Sequence, residues 1–268
     1  KSEKKINSEI NIDILRLKLE NEFLHGDEFN FGITDFSFPN QKGIAEYKTN
    51  KNSFSFKISD KAQVPKFTWD GKLSFKPFHS YLNGYVSELN FSHLFSSNAI
   101  IKQIFKTEIL NNKNVDFKLS INANKIKNLD DFTNIFLKSK IQEGLIDLDQ
   151  TKISWKNYVN FNLLDSLIYV NDGKLILDAS AEINIINLNE VYKFLLTPKN
   201  IRKKINKINV SFTYLFDEKT INIKNVKVNG KFDNKLNNYL NDIFLGENNL
   251  KNKIYFKRLL NNALKNYE

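Results

Sequence analysis

Polar and apolar residues alternate with a period of two along much of the chain, the pattern of strands that turn one face to a core and the other to water. From Lys174 to Asn187, Leu175, Leu177, Ala179, Ala181, Ile183 and Ile185 fall on one side. Lys174, Asp178, Ser180, Glu182 and Asn184 fall on the other, and only Ile176 and Ile186 break the pattern. Residues 114–124 repeat it, with Val115, Phe117, Leu119, Ile121 and Ala123 set against Asp116, Lys118, Ser120, Asn122 and Asn124. A third run carries Ile208, Val210, Phe212, Tyr214 and Phe216. An alternating run of about eleven residues reaches roughly 35 Å at ~3.3 Å per residue, twice an ordinary strand. Further strands are predicted over 9–19, 31–38, 53–59, 64–70, 72–78, 81–89, 132–139, 141–155, 161–170 and 219–229. Asp70-Gly71, Asn83-Gly84 and Asn171-Asp172-Gly173 supply turn chemistry at their joins. The apolar face changes parity from Ile14 to Leu15 and from Ile223 to Val226, which predicts bulges or bends that curve the sheet.

Three segments switch to the helical period. Leu188, Val191, Tyr192, Leu195 and Leu196 share a face, with Asn187 placed as N-cap, Glu190 three residues on and Pro198 closing the helix. Residues 92–111 form an amphipathic helix through Ile101, Ile104, Phe105 and Ile109. The tail reads as a helical hairpin or broken helix: Phe232, Leu236, Tyr239, Leu240, Ile243 and Phe244 share a face before Gly246, and the pattern resumes from Leu250 to Tyr267. No linker rich in Pro, Gly or Ser divides the chain. The expected fold is therefore mainly β: a long curved antiparallel sheet forming a groove or open half-barrel, with about three amphipathic helices. The sheet occupies 1–231, with helices inserted near 92–111 and 188–197, and 232–268 forms a C-terminal helical cap. Segments 72–121 and 173–216 both read strand, helix, basic loop, strand, which suggests a duplicated unit.

Composition narrows the chemistry. The chain has 268 residues, 41% of them hydrophobic, which is enough for one large core, and its lack of Cys excludes disulfides, thiolate metal sites and a cysteine nucleophile. Its net charge is +10, carried almost wholly by Lys, since Arg occurs only at Arg16, Arg202 and Arg258. Arg forks onto phosphates and bases, so this balance argues against a nucleic-acid reader. No apolar run is long enough for a membrane-spanning helix, and the first residues are too polar for a signal-peptide core. With no Met anywhere, the chain reads as a processed or excised piece of a longer protein.

The motifs of catalysis are missing: no Gly-x-Gly-x-x-Gly, phosphate loop, His-Glu-x-x-His or Gly-x-Ser-x-Gly occurs. His25, His79 and His93 are too far apart in sequence for a local metal site. Asp147 and Asp149 share a face of a predicted strand, as paired carboxylates or cation ligands would, but the polar face of any half-exposed strand yields the same spacing. The expectation is a protein that is not an enzyme, with no cofactor, no metal and no nucleic-acid partner. The basic cluster Lys199, Arg202, Lys203 and Lys204, with Lys207 beyond it, suits anionic lipid headgroups, nucleic-acid phosphates or, as the plainer reading, a solvated connecting loop. A large sheet with a uniformly apolar face needs something against that face, and the predicted helices are too few to cover it. Either a second sheet or lipid acyl chains fill the space. The candidate lining is Val115, Phe117, Leu119, Ile121, Leu175, Leu177, Ile183, Ile185, Val210 and Phe212.

On this pattern, residues 144–195 resemble the C-terminal region of the AsmA-like family of bacterial envelope proteins. The resemblance rests on the turn Asp172-Gly173, the alternating strand after it, and the small helix with Tyr192-Lys193-Phe194. Residues 69–95, followed by an amphipathic helix, are similar to that family's repeat, so the likeness runs from Pro65 to Glu268. It implies a periplasmic protein, anchored in the inner membrane by a segment outside this chain, whose apolar β-groove shelters or conducts phospholipid between inner and outer membranes. It supplies no catalytic residues. Two other readings stand beside it: a non-enzymatic scaffold that docks envelope proteins through strand edges, and a sugar-binding or glycan-acting protein with a polar cleft.

Overall fold

Alternation repeated this often calls for strand beside strand, and the computed structural model joins seventeen strands of the described residues into one sheet. It describes residues 4–39, 41–90, 112, 115–243 and 245–268. The first nine strands are β1 (Lys4–Ile12), β2 (Leu17–His25), β3 (Asn30–Phe38), β4 (Gln41–Thr49), β5 (Ser53–Asp60), β6 (Phe67–Phe75), β7 (Phe78–Leu89), β8 (Asp116–Ile126) and β9 (Leu129–Gln142). Two short strands, β10 (Leu145–Asp147) and β11 (Lys152–Trp155), both lie between β9 and β12 (Val159–Asn171). After them come β13 (Lys174–Ile185), β14 (Lys207–Leu215) and β15 (Thr220–Val228), whose far side carries the two-residue strands β16 (Lys231–Phe232) and β17 (Leu245–Gly246).

Where consecutive strands pair they do so antiparallel, except β7 and β8, which run parallel from His79 opposite Asp116 to Leu89 opposite Ile126; β10 and β11 share the neighbours β9 and β12, and β16 and β17 share β15. The sheet is thus mixed where an antiparallel one was expected, and it stays open rather than closing into a barrel. The duplicated unit is not upheld, because β13 and β14, the supposed counterparts of β7 and β8, pair antiparallel. The 9–19 strand is a hairpin: residues 13–15 form a single 3-10 turn and Arg16 takes a left-handed φ of 49°. The parity change at Ile14–Leu15 was that turn, whereas the one after Ile223 is a true bulge opposite Ser211 and Phe212. Strand β4 escaped prediction because Gly43 and Ala45 leave its apolar side faint. The 141–155 strand breaks at Glu143-Gly144 and again after Asp147.

Asp172-Gly173 makes the predicted tight turn, with φ of 51° and 70°, both in the region the two-residue hairpin requires. Asp70-Gly71 and Asn83-Gly84 make no turn: both lie inside strands, with Asp70 directly opposite Asn83 across β6 and β7.

Helix α1 (Leu188–Leu195) begins where its cap predicts, the Asn187 side-chain oxygen accepting from the Glu190 N–H at 3.3 Å, and ends at Leu196 with φ 58°. The tail folds into α2 (Asn234–Asn241), α3 (Glu247–Lys251) and α4 (Lys253–Asn266). The helix predicted over 92–111 and residue Phe244 lie outside the described residues. Helices α1, α2 and α4 close over the β13–β15 end, where Tyr192, Ile205, Val226, Val228, Leu236, Leu240 and Leu264 form one core. Two further clusters lie along the sheet, one around Ile121, Ala123 and Ile135, the other around Ile146, Ile168 and Leu175.

Candidate functional site

Directly opposed residues in a ladder share a face, so the pairing registers carry one face from strand to strand. Starting at Ile6 and Ile10 on β1, it passes through Phe23 and Leu19, Gly32 and Phe36, Tyr47 and Gly43, and Phe56. It continues through Gly71 and Trp69, Leu82 and Gly84, then Leu119 and Ile121. Beyond β9 the same face holds Ile168, Leu175 and Ala181, then Val210 and Val226. One apolar surface therefore crosses the described sheet from β1 to β15.

The opposite face is mainly charged and carries cross-strand ion pairs, among them Lys5–Glu22 at 2.8 Å, Lys61–Asp35 at 2.6 Å and Lys224–Asp178 at 2.7 Å, with Phe31 and Ile33 standing half exposed among them. On that face Lys207 and Asn184 beside Glu182 hold its carboxyl below the usual carboxylate range. Such exposed pairs contribute little stability, but they mark this side as the one facing water.

Coverage of the apolar face changes along the sheet. At the C-terminal end Val226 and Val228 are 3% and 2% exposed beneath the helical cap. At the other end Ile6 and Ile10 are 55% and 50% exposed. Among the described residues, the substantial packing of β1 to β6 is with neighbouring strands alone. The accessible surface of 17052 Å² compares with about 12,000 Å² for a compact monomer of this mass.

Four aromatic rings on the open half lie over glycines directly opposite them: Tyr47 on Gly32, Phe36 on Gly43, Phe56 on Gly71 and Trp69 on Gly84. A Cβ at Gly84 would stand 2.2 Å from Trp69 Cζ3, and one at Gly32 2.0 Å from Tyr47 Cζ. Gly71 inside β6 and Gly84 inside β7 let rings lie down and do not turn the chain. Rings laid on backbone pave the face. Where the paving meets a polar residue the polarity is satisfied: Asn21 Oδ1 accepts from Thr34 Oγ1 at 2.8 Å and from the Tyr47 hydroxyl at 2.9 Å. A depression of about 400 Å³ lies at one end of these strands, between Phe36, Phe38, Phe67 and Trp69, with Lys66 and Glu88 at its rim.

The predicted lining residues other than Val115 are brought onto this one face but meet different surroundings. Phe117, Leu119 and Ile121 lie on β8, with Ile121 in the central cluster and Leu119 packed against it. Val115 precedes the strand, its N–H donating to the Asn112 carbonyl at 2.9 Å. Leu175 is 1% exposed in a closed cluster with Leu177 beside it. Ile185 and Val210 pack beneath the chain's own helices. Ile183 and Phe212 stay half-buried on their strands. The most open apolar positions, on β1, and the paved positions of β3 to β7 were not among the predicted lining. Glycine and aromatic residues of matching parity on successive strands were the signal for them.

Of the basic candidates, Lys199, Arg202 and Lys204 are exposed and Lys203 is half-buried. This connector is pinned: the Tyr192 hydroxyl donates to the Lys203 carbonyl and accepts its N–H at 2.8 Å, and Arg202 Nε donates to the Thr197 carbonyl at 3.1 Å. Burial pushes the Tyr192 phenol above its ordinary pKa, against the lowering pull of the Lys203 backbone and the Arg202 charge. Asp147 and Asp149 do not share a strand face. Asp147 Oδ1 accepts the Asp149 N–H at 2.7 Å and Asp149 Oδ1 accepts the Ser166 N–H at 2.7 Å, so both shape the chain between β10 and the bulge of β12. His79 Nδ1 sits 3.0 Å from Asp116 Oδ2 across the parallel pair, and His93 lies outside the described residues.

Comparison of the chain with protein-family models, curated proteins and solved structures gives no match.

Proposed function

We propose that the chain is part of a non-enzymatic cell-envelope protein that shelters or conducts phospholipid, with acyl chains lying along the apolar sheet face and headgroups kept at its polar edges. The carrying observation is the single apolar face, paved with flattened rings, whose β1 to β6 part packs substantially only against neighbouring strands among the described residues. Each CH₂ moved from water onto such a face contributes about 0.8 kcal/mol. A smooth wall of rings and aliphatic groups offers a sliding acyl chain no preferred stopping point. The resemblance to AsmA-like proteins adds a periplasmic location and an inner-membrane anchor in the parent protein. Leu175, Ile185 and Val210 then belong to the closed end, and Tyr47, Phe56, Leu73 and Trp69 to the working lining.

The test is photocrosslinking from benzoylphenylalanine placed at Phe56 or Leu73 on the apolar face, or at Lys57 or Lys72 on the charged face, after detergent-free preparation from bacterial cells. Phospholipid adducts from the first pair and none from the second are expected. Lipid-free protein at all four positions, with the fold intact, sinks the proposal.

A second reading, an envelope assembly factor, draws on β1, which among the described strands pairs only with β2 and is exposed along its length. In that case the crosslinks go to protein, and the β1 edge is where they arise.

A further inference from the structure

The chain's net positive charge is concentrated in one place. Residues 193–204 hold Lys193, Lys199, Arg202, Lys203 and Lys204, and α4 holds Lys253, Lys257, Arg258 and Lys265, with no Asp or Glu in either segment. Together they carry +9 of the net +10, so the rest of the chain is close to neutral.

The fold brings the two segments together. Asn261 Nδ2 donates to the Leu195 carbonyl at 3.0 Å, Lys257 Nζ stands 4.8 Å above the Phe194 ring, and Lys203 Nζ lies 6.0 Å from the Tyr267 ring just past α4. Lys193 is paired with Glu190, while Lys199, Arg202, Lys204, Lys253, Arg258 and Lys265 are exposed.

Large apolar side chains stand out among these cations. Leu196, the residue that ends α1, is 74% exposed, and Ile254, one turn before Lys257 and Arg258, is 72% exposed. Asn261 fastens α4 to the residue before Leu196, and Ile254 lies on the same stripe of α4 as Lys257 and Asn261. Exposed Leu and Ile amid Lys and Arg form the pattern of a surface that settles into a headgroup layer. A soluble polyanion or a nucleic acid has use for the cations and none for the two aliphatic side chains.

We infer that the helical cap seats on an anionic bilayer surface, with Leu196 and Ile254 entering the headgroup region and the surrounding Lys and Arg meeting lipid phosphates. This seat is separate from the apolar sheet face and stands whether or not that face holds lipid.

The experiment is flotation of the full chain with phosphatidylcholine vesicles, with and without phosphatidylglycerol, over a series of salt concentrations. Binding that needs phosphatidylglycerol and weakens with salt is expected. Lys257→Gln/Arg258→Gln lowers the partition coefficient by about thirtyfold, near fivefold for each charge. Lys199→Gln/Lys204→Gln does the same from the other segment and guards against a folding defect confined to α4. Leu196→Asn/Ile254→Asn weakens binding while leaving the thermal unfolding curve in place, since Asn tolerates the left-handed conformation at 196. Equal binding to phosphatidylcholine alone overturns the inference. So does unchanged binding of the Leu196→Asn/Ile254→Asn protein, or loss of binding through Ile6→Asn/Ile10→Asn with the cap variants unaffected.

Discussion

Trp69 lies flat over Gly84, its directly opposed partner on the neighbouring strand, so closely that a methyl group on the glycine would overlap the indole. In a strand interior Ala is normally better than Gly by roughly 0.5–1 kcal/mol. Here displacement of the ring outweighs that gain, and Gly84→Ala is expected to cost about 1–3 kcal/mol. In a Trp69→Ala background the same substitution becomes neutral or stabilising. Urea unfolding of the four proteins checks it, and a cost that persists without the indole defeats the paving account.

Asn237 does the work of a strand at the edge of the sheet. It is 3% exposed, its Oδ1 accepts the Val226 N–H at 2.6 Å, and its Nδ2 donates to the Val226 carbonyl at 2.8 Å and the Asp233 carbonyl at 2.7 Å. Asn237→Ala leaves buried backbone groups without partners and should cost about 3 kcal/mol. Asn237→Asp keeps the acceptor but sets a carboxylate against two carbonyls, which raises its folded pKa. Relative to the parent, that variant is weakest at neutral pH and recovers as pH falls through the carboxylate range. Thermal melts across pH measure both effects.

Acid should loosen the cap through Asp233. Burial works to raise its pKa, but N–H groups of Leu236, Glu268 and Lys235, with the Lys235 charge, outweigh it and hold the carboxyl below its ordinary value. A lowered folded pKa means stability that is present above the unfolded value, about 4, and is lost as pH falls through the folded one. Asp233→Ala, which removes the N-cap of α2, costs about 1 kcal/mol at neutral pH. It also flattens the acid limb of the stability profile, and an unchanged limb would assign the acid response to other carboxylates such as Glu182.

Strand β1 is the exposed edge of the described sheet, with Ile6 and Ile10 half open to water. Ile6→Lys/Ile10→Lys is expected to reduce self-association, read by light scattering, and to shift the melting temperature by no more than a degree or two. A large drop in melting temperature would show that these residues are packed in solution.

Much of the local structure was legible in the chain. Alternation through Lys174–Asn187 and 208–216 identified strands and their faces, because side-chain direction in a strand depends only on parity. Asn187, Glu190 and Pro198 marked both ends of α1, because capping is satisfied within a few residues. The pairings were a different matter. Asp70-Gly71 and Asn83-Gly84 carry turn chemistry, yet they sit inside strands because an aromatic ring from the strand before each glycine needs the room. No reading of adjacent residues reveals that partner.

The sequence by itself determined that this is a β protein with one apolar and one charged sheet face, since a period of two admits no other arrangement of those side chains. Only the tertiary structure decided where the apolar face is closed and where it is open. Ile185 and Val210 have the same parity signal as Phe56 and Leu73, and what separates them is a helical cap folded from two distant segments. It also decided that cations at 193–204 and 253–265 share one surface, because contacts such as Asn261 to Leu195 exist only once the chain has folded.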